Sequence, residues 1–472
     1  MNDRKGFGSN FGFLMAAVGS AVGLGNIWGF PNKMGANGGF PFLILYLALA
    51  LCCGVIIMLG ELALGRKTGH GAVGAYQSIS KRFKWLGWLG IAAAALIFSF
   101  YSALGGYCLR YVVVNFGNLI GAEFGTNGVG GADVFQGLLG QPDVSIAFAL
   151  AFMLITMLVV MSGVGGGIER VCSVGMPALF FILIICIIRS CTLPGAADGL
   201  KYMFVPGWAV ANGIIDEAPG GGQMFFSLSL GAGVMITYGS YLDKKQDLGK
   251  STMIIVGMDT VVALMAGLCV IPGRFALDPN GALGGPELLF ITMQNVFDKM
   301  GPAGPVFGIL FYLLVFFAAI SSSISMLEVI VAHFCDKARE KGKGDRRKLY
   351  SAIAVVICAA LCALVCADGM GSNHISPAEL LGLAGAKLPG WSTSWLGLFD
   401  SVAEGLLMPL GALLMCLMIS WELKPDALRQ EILLNGENRP WVYDFFRLCV
   451  KYITPLCMLM ILYGQISDFF IV

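Results

Sequence analysis

Charge is scarce in this sequence. Only 12% of the 472 residues are Asp, Glu, Lys or Arg, about half of the roughly 25% carried by water-soluble chains. A chain so poor in polar surface cannot face water all round, and a 57% hydrophobic content with a mean hydropathy of +0.79 makes lipid its solvent. Histidine is rarer still. The three residues stand beside no carboxylate or cysteine cluster, which argues against a metal centre or histidine-based catalysis. No nucleophile–base pair appears in the apolar runs either, so no enzyme, organic cofactor or nucleic-acid partner is expected. Cysteine is not scarce, but most of the fourteen thiols sit inside apolar runs (Cys52, Cys53, Cys186, Cys358, Cys362, Cys366). They form no tetrahedral metal spacing or disulfide framework and read as small apolar packing residues. A cleavable signal peptide is not expected, because Arg4 and Lys5 lead into a long glycine-studded apolar run without a cleavage site.

What the chain does have is long apolar runs. A helix that crosses a bilayer needs about 20 mostly apolar residues. Such runs fall near 10–34, 40–64, 86–116, 144–162, 168–190, 218–242, 252–272, 304–334, 349–367, 397–421 and 442–470. The expectation is an all-α integral membrane protein of eleven transmembrane helices, a single domain over 1–472. Basic residues orient it. With the N-terminus in the cytoplasm, the inner segments hold Arg4, Lys5, Arg66, Lys67, Lys81, Arg82, Lys84, Arg170, Lys244, Lys245, Lys250, the cluster from Lys337 to Lys348, and Lys424, Arg429 and Arg439. That is roughly 21 positive residues inside against roughly 6 outside, so the C-terminus is expected outside. Segment 285–300 looks amphipathic and too short to span, which suits an external loop helix; 422–441 reads as a cytoplasmic connection.

Two spans contain what a lipid-exposed helix avoids. The first reads Gly19-Ser20-Ala21-Val22-Gly23-Leu24-Gly25-Asn26; the sixth reads Ser227-Leu228-Ser229-Leu230-Gly231-Ala232-Gly233. Glycine costs roughly 1 kcal/mol per residue in a helix relative to alanine. Taken alone, either cluster fits close helix packing through small residues or local unwinding around a protein-lined cavity. An unwound stretch offers carbonyls to a cation, and the adjoining half-helix N-terminus offers N–H groups to a carboxylate. The interrupted spans stand five apart, as a five-helix inverted repeat requires, with repeats over 10–190 and 218–421 and an additional helix at 442–470. Acids within apolar helices are functional candidates by default. Glu61 reads mainly as a structural partner for unwound backbone, and Asp259 as a fixed negative charge beside a sodium ion. The run Ser321-Ser322-Ser323 either serves a site or bonds back to its own helix.

The stretches Gly19 to Pro31 and Gln223 to Tyr241, with Ser321-Ser322-Ser323, resemble the neurotransmitter:sodium symporter family, in its bacterial, leucine-transporter-like, eleven-span form. The resemblance runs from Arg4 to about Gln465 and implies two sodium sites. The first would use Ala21, Asn26 and Ser227, with Asp259 nearby and the substrate carboxylate. The second would use the carbonyls of Gly19, Val22 and Ala318 and the hydroxyls of Ser321 and Ser322. An amino acid would lie against Ala21, Leu24 and Gly25, between Tyr101, Phe226, Ser227 and Ser322. Ser229, Ala232, Ile97 and Met326 would line its side-chain pocket. The resemblance also implies an inner gate of Arg4 and Asp336 beside Tyr241 and Ser240, an outer cover at Phe226, and a Gly167–Pro177 spacing at which the fifth helix unwinds to release sodium.

The chain departs from the family pattern in four places. The outer-gate arginine and aspartate are replaced by Gly29 and Ala403, and Glu404 and Asp400 are the acids left nearby. Losing both partners together avoids a stranded charge. A pocket position usually filled by a large residue is Ala232, which leaves room for a bulky substrate. Asp259 falls where the family has a sodium-site asparagine or, one turn on, an acid that replaces chloride; Ala263 occupies that later place. The inner-gate tryptophan of many members is Phe7.

The function expected is therefore sodium-coupled import of a large apolar or aromatic amino acid by alternating access, independent of chloride. A bacterial inner (plasma) membrane, with the chain as a monomer or weak dimer, is the expected setting. The alternative is a transport-inactive amino-acid sensor that keeps the binding motifs.

Overall fold

The computed structural model describes residues 6–126, 128–205, 223–224, 227–278, 285–382, 390–424, 426–434 and 440–470, and the described chain is helical and free of strands. The helices that position the site are α1 (Asn10–Ala21) and α2 (Gly25–Ala36), bent by 47° at a short break, then α3 (Phe40–Thr68), α4 (Lys81–Ile120), α5 (Pro142–Met161) and α6 (Val164–Cys191). After them come the short α7 (Val234–Gly239), then α8 (Leu248–Leu277), α9 (Gly301–Glu340), α10 (Arg347–Asp368), α11 (Trp395–Leu423) and α12 (Trp441–Ser467).

Among the described residues nine of these helices are long and apolar enough to cross a bilayer, or ten if the bent pair α1–α2 is one span. The sixth expected span, near 218–242, is described only at Gln223, Met224 and from Ser227 onward. There it is helical at Gln223, Met224, Ser227 and Leu228, turns through 229–233 and resumes as the six-residue α7, too short to cross on its own. The amphipathic stretch at 285–300 is helical through Met293–Asp298 and buries Leu289, Phe290 and Phe297. Short helices that the apolar runs do not announce lie at Ala72–Ile79, Gly131–Leu139, Ala196–Phe204 and Asp426–Leu433.

Helix ends follow local chemistry. Ser9 caps α1 by accepting from Gly12 N–H at 2.9 Å. Gly69 (φ +67°) and Gly121 (φ +68°) stop α3 and α4 in the left-handed conformation that glycine adopts freely.

The long helices α4 and α9 pack along each other, with α5 and α10 against them, while α1 lies between α6, α8 and α9 and α7 lies on α3. Close approach depends on missing side chains. A Cβ on Gly106 of α4 would sit 2.6 Å from the Ala149 backbone nitrogen of α5. Val356, Phe181 and Tyr463 point outward with about 70% of their surface open, the reverse of a water-soluble fold and suited to lipid. Several buried hydroxyls bond to carbonyls one turn back, as Ser102 does to Phe98 and Thr156 to Phe152.

Candidate functional site

The break between α1 and α2 falls at Val22, Gly23 and Leu24, where Val22 turns extended (ψ 98°). Polar groups freed there find partners on α4 and on α2 itself. Leu24 N–H donates to Tyr101 Oη at 2.6 Å, and Gly23 N–H donates to Asn26 Oδ1 at 3.0 Å. Gly23 has no room for a side chain, since a Cβ would lie 2.4 Å from both Tyr101 Oη and Ser322 Oγ.

The second interruption runs through 229–233. Ser229 holds φ +51°, and Gly231 and Gly233 lie at φ +78° and +73°, conformations that glycine tolerates and serine rarely adopts. Gly231 N–H donates to Glu61 Oε1 at 2.8 Å, so the buried acid of α3 does hold turn backbone. Ser229 Oγ donates to the Ser20 carbonyl at 2.9 Å and so ties the two interruptions together.

Between them stands Asp259 of α8, fully buried. Its Oδ1 accepts from Asn26 Nδ2 at 2.7 Å, and Ser227 Oγ lies 2.8 Å from Oδ2. Tyr46 Oη donates to Oδ2 at 3.1 Å, and Asn26 Nδ2 also reaches the Asp259 carbonyl at 3.0 Å. The carboxylate at 259 thus faces Asn26 and Ser227. A buried carboxylate ringed by neutral donors lacks a counter-charge within the ring, which is what a small cation supplies.

A second oxygen-rich cluster joins α1 to α9. Ser322 Oγ reaches the Gly19 and Ser20 carbonyls at 3.4 and 3.2 Å, and Ser321 Oγ donates to the Ala318 carbonyl at 3.0 Å. A Cβ on Gly19 would touch Ser321 Cβ at 3.1 Å. Carbonyls and hydroxyls of this kind are hard donors that suit an alkali cation. Among the described residues no group of three or more His, Cys, Asp or Glu converges as a transition-metal site.

The expected pocket residues Ala21, Leu24, Ile97, Tyr101, Ser229, Ala232, Ser322 and Met326 are all buried, as is Gly25, whose carbonyl accepts from Gln223 Nε2 at 2.6 Å. Phe226 and Arg4 lie outside the described residues.

Residues 4–126 and 133–470 match the sodium:neurotransmitter symporter family. A Bacillus subtilis protein named a sodium-dependent transporter is 36% identical over 97% of both chains. A sodium-dependent transporter of Methanocaldococcus jannaschii is 30% identical over 91% of this chain and 84% of its own. The crystal structure of MhsT in complex with L-phenylalanine superposes with a TM-score of 0.84 at 33% identity, covering 98% of this chain and 100% of that one. The chain belongs to the sodium:neurotransmitter symporter family. It is a multi-pass membrane protein and a sodium-dependent transporter.

The inner-gate positions that the symporter family marks are only part of what this side holds. Asp336 Oδ2 accepts from Gly71 N–H at 3.0 Å and Oδ1 lies 3.6 Å from Arg339. Tyr241 Oη donates to Glu328 Oε1, and Arg347 meets the same carboxylate with both terminal nitrogens, at 2.5 and 3.0 Å. Glu328, Arg347, Tyr46 and Gln223 are not among the site residues expected from the sequence. Phe7 packs edge-on against Phe13, Tyr238 and Tyr241, so an apolar plug is in place without an indole. On the opposite side, a Cβ on Gly29 would fall 2.8 Å from Gln223 Oε1, and Ala403 is fully buried. Glu404, one helical turn past Asp400 on α11, is nearly buried.

Proposed function

We propose that this symporter imports a large apolar or aromatic amino acid with sodium, by alternating access and without chloride. The observation that carries the reading is Asp259, whose buried carboxylate draws in Asn26 from one interruption and Ser227 from beside the other. The first sodium would bind among Ala21, Asn26, Ser227 and Asp259, the second among Gly19, Val22, Ala318, Ser321 and Ser322. A resident carboxylate supplies the negative charge that a chloride ion would otherwise bring. The amino acid would lie along Leu24 and Gly25 against Tyr101, with its carboxylate on the first sodium. The small Ala232 leaves space for a bulky side chain, and the phenylalanine held by MhsT fits that size class.

Ten of the eleven spans would form two five-helix repeats, with spans 1, 2, 6 and 7 rocking about this midplane site against the other repeat helices, in a bacterial inner membrane with a cytoplasmic N-terminus. Each sodium moving inward gains about 2.3 kcal/mol per 100 mV.

A thermal-shift screen of the twenty amino acids tests the reading, run in sodium and in potassium with chloride and with gluconate. Stabilisation by phenylalanine, tryptophan or leucine in both sodium salts and not in potassium is expected. A response to glycine or alanine alone, or a requirement for chloride, overturns it.

A further inference from the structure

Outside the two sodium clusters, one carboxylate engages the start of α1. Glu169 closes the first turn of α6, and its Oε2 accepts from Gly8 N–H at 2.6 Å while Oε1 accepts from Ser9 Oγ at 2.7 Å. Ser9 is itself the cap of α1, so the acid grips the helix through its capping residue. The charge lies against the positive end of the α1 dipole, where a carboxylate is stabilised. Contact is flush: a Cβ on Gly12 would fall 2.0 Å from Oε1, so the fit exists only because position 12 is glycine.

The stretch that carries Glu169 is glycine-rich and departs from regular α-helix. Residues 164–169 form a π-helical turn behind Gly163 at φ +85°, and Gly165, Gly166 and Gly167 lie within it. Each glycine lowers helix stability by roughly 1 kcal/mol relative to alanine. Seven residues further along, Met176 of α6 packs on Gly19, since a Cβ there would meet its Sδ at 3.2 Å. Gly19 offers its carbonyl to the Ser321–Ser322 cluster. One strip of α6 thus covers α1 from its capped start to the candidate second sodium site.

We propose that Glu169 is a positioning residue that fastens α1 to α6 and keeps the path to that sodium site closed. The unwinding that the family resemblance implies at Gly167–Pro177 would then have to withdraw this carboxylate and uncap α1 before water could reach Gly19. The role rests on the transport reading above, yet the fastening itself is measurable without transport.

The test is hydrogen–deuterium exchange of the full chain in lipid nanodiscs, in sodium and in potassium, for wild type, Glu169→Gln and Gly12→Ala. Glu169→Gln removes the charge; Gly12→Ala pushes the carboxylate off α1 while leaving the charge in place. Both are expected to raise exchange across residues 8–15 about tenfold, as befits loss of charge-assisted bonds, with α4 and α9 unchanged. Sodium for half-maximal stabilisation should rise about fivefold while amino-acid affinity at saturating sodium holds. Wild-type exchange over 8–15 in both variants overturns the proposal. Should Glu169→Gln also loosen α4 and α9, it is globally disturbed and Gly12→Ala decides. If wild type itself shows no sodium dependence, the transport reading fails instead, and the comparison of variants still tests the fastening.

Discussion

A methyl group is the smallest probe of the substrate end of the site. Gly23→Ala would place a Cβ 2.4 Å from Tyr101 Oη and Ser322 Oγ, neither of which is the free end of a flexible chain. Relief requires moving the tyrosine from Leu24 N–H, the group expected to meet the substrate carboxylate. Such overpacking costs about 1–3 kcal/mol, enough to weaken amino-acid binding by about tenfold or more while the chain still folds. Radioligand binding in sodium checks this, and unchanged affinity would remove Tyr101 from the site. Asp259→Asn probes the other end. It keeps the shape and a hydrogen-bonding group but deletes the only charge in the ring formed with Asn26, Ser227 and Tyr46. Sodium at half-saturation is expected to rise by about tenfold or more, since a charged acceptor contributes roughly twice what a neutral one does. A sodium titration of the thermal shift reads it, and an unaltered midpoint would mean that the carboxylate does not face the ion.

At the scale of helices, the strongest prediction concerns α9 and α10. Glu328 is fully buried, and both of its oxygens are engaged by Arg347 and Tyr241. Arg347→Ala strands that charge and should lower stability by about 3–5 kcal/mol, whereas Arg347→Met with Glu328→Leu should recover most of the loss. Melting of the purified variants decides, and a double variant no better than the single one would refute the pair's account. The reasons this pair escaped a reading of the sequence are physical. Arg347 stands inside the basic run from Lys337 to Lys348, where every residue serves the orientation argument and none looks special. Glu328 lies two turns before Asp336 on one long apolar helix, and only its neighbour across the bundle gives it meaning. The long spans were legible because lipid demands long apolar runs. The interruptions at 22–24 and 229–233 were legible as breaks because glycine, serine and asparagine are costly inside an apolar helix. Tyr46, Gln223 and Glu169 were not, because their roles depend on which helix faces them, and no residue pattern along one helix reports that. The short helix Ala196–Phe204 was missed for want of length, being too brief for its period to stand out.

Across the whole molecule, the interruptions tie the stability of the fold to its ligands. The ends of α1 and α2 and the turns at 229–233 are held by side chains reaching across the bundle rather than by continuous helix. Ions that bridge the same groups bind the folded, closed bundle and not an opened one. Sodium at a hundred times its dissociation constant should therefore stabilise the protein by about 2.7 kcal/mol per site, visible as a melting shift that potassium does not give. If the amino acid's carboxylate is itself a ligand of the first sodium, each must raise the other's affinity by the same factor. Titrating amino acid at several sodium concentrations, and sodium at several amino-acid concentrations, yields the two factors independently by calorimetry. Asp259→Asn should shrink both together, because the sodium it would weaken is the one proposed to touch the substrate. Ser321→Ala with Ser322→Ala should lower sodium stabilisation by one site and leave the mutual factor nearly intact. Equal loss of coupling in both variants would show that the two clusters act as one site, and a mutual factor of one in wild type would mean that sodium and substrate do not meet.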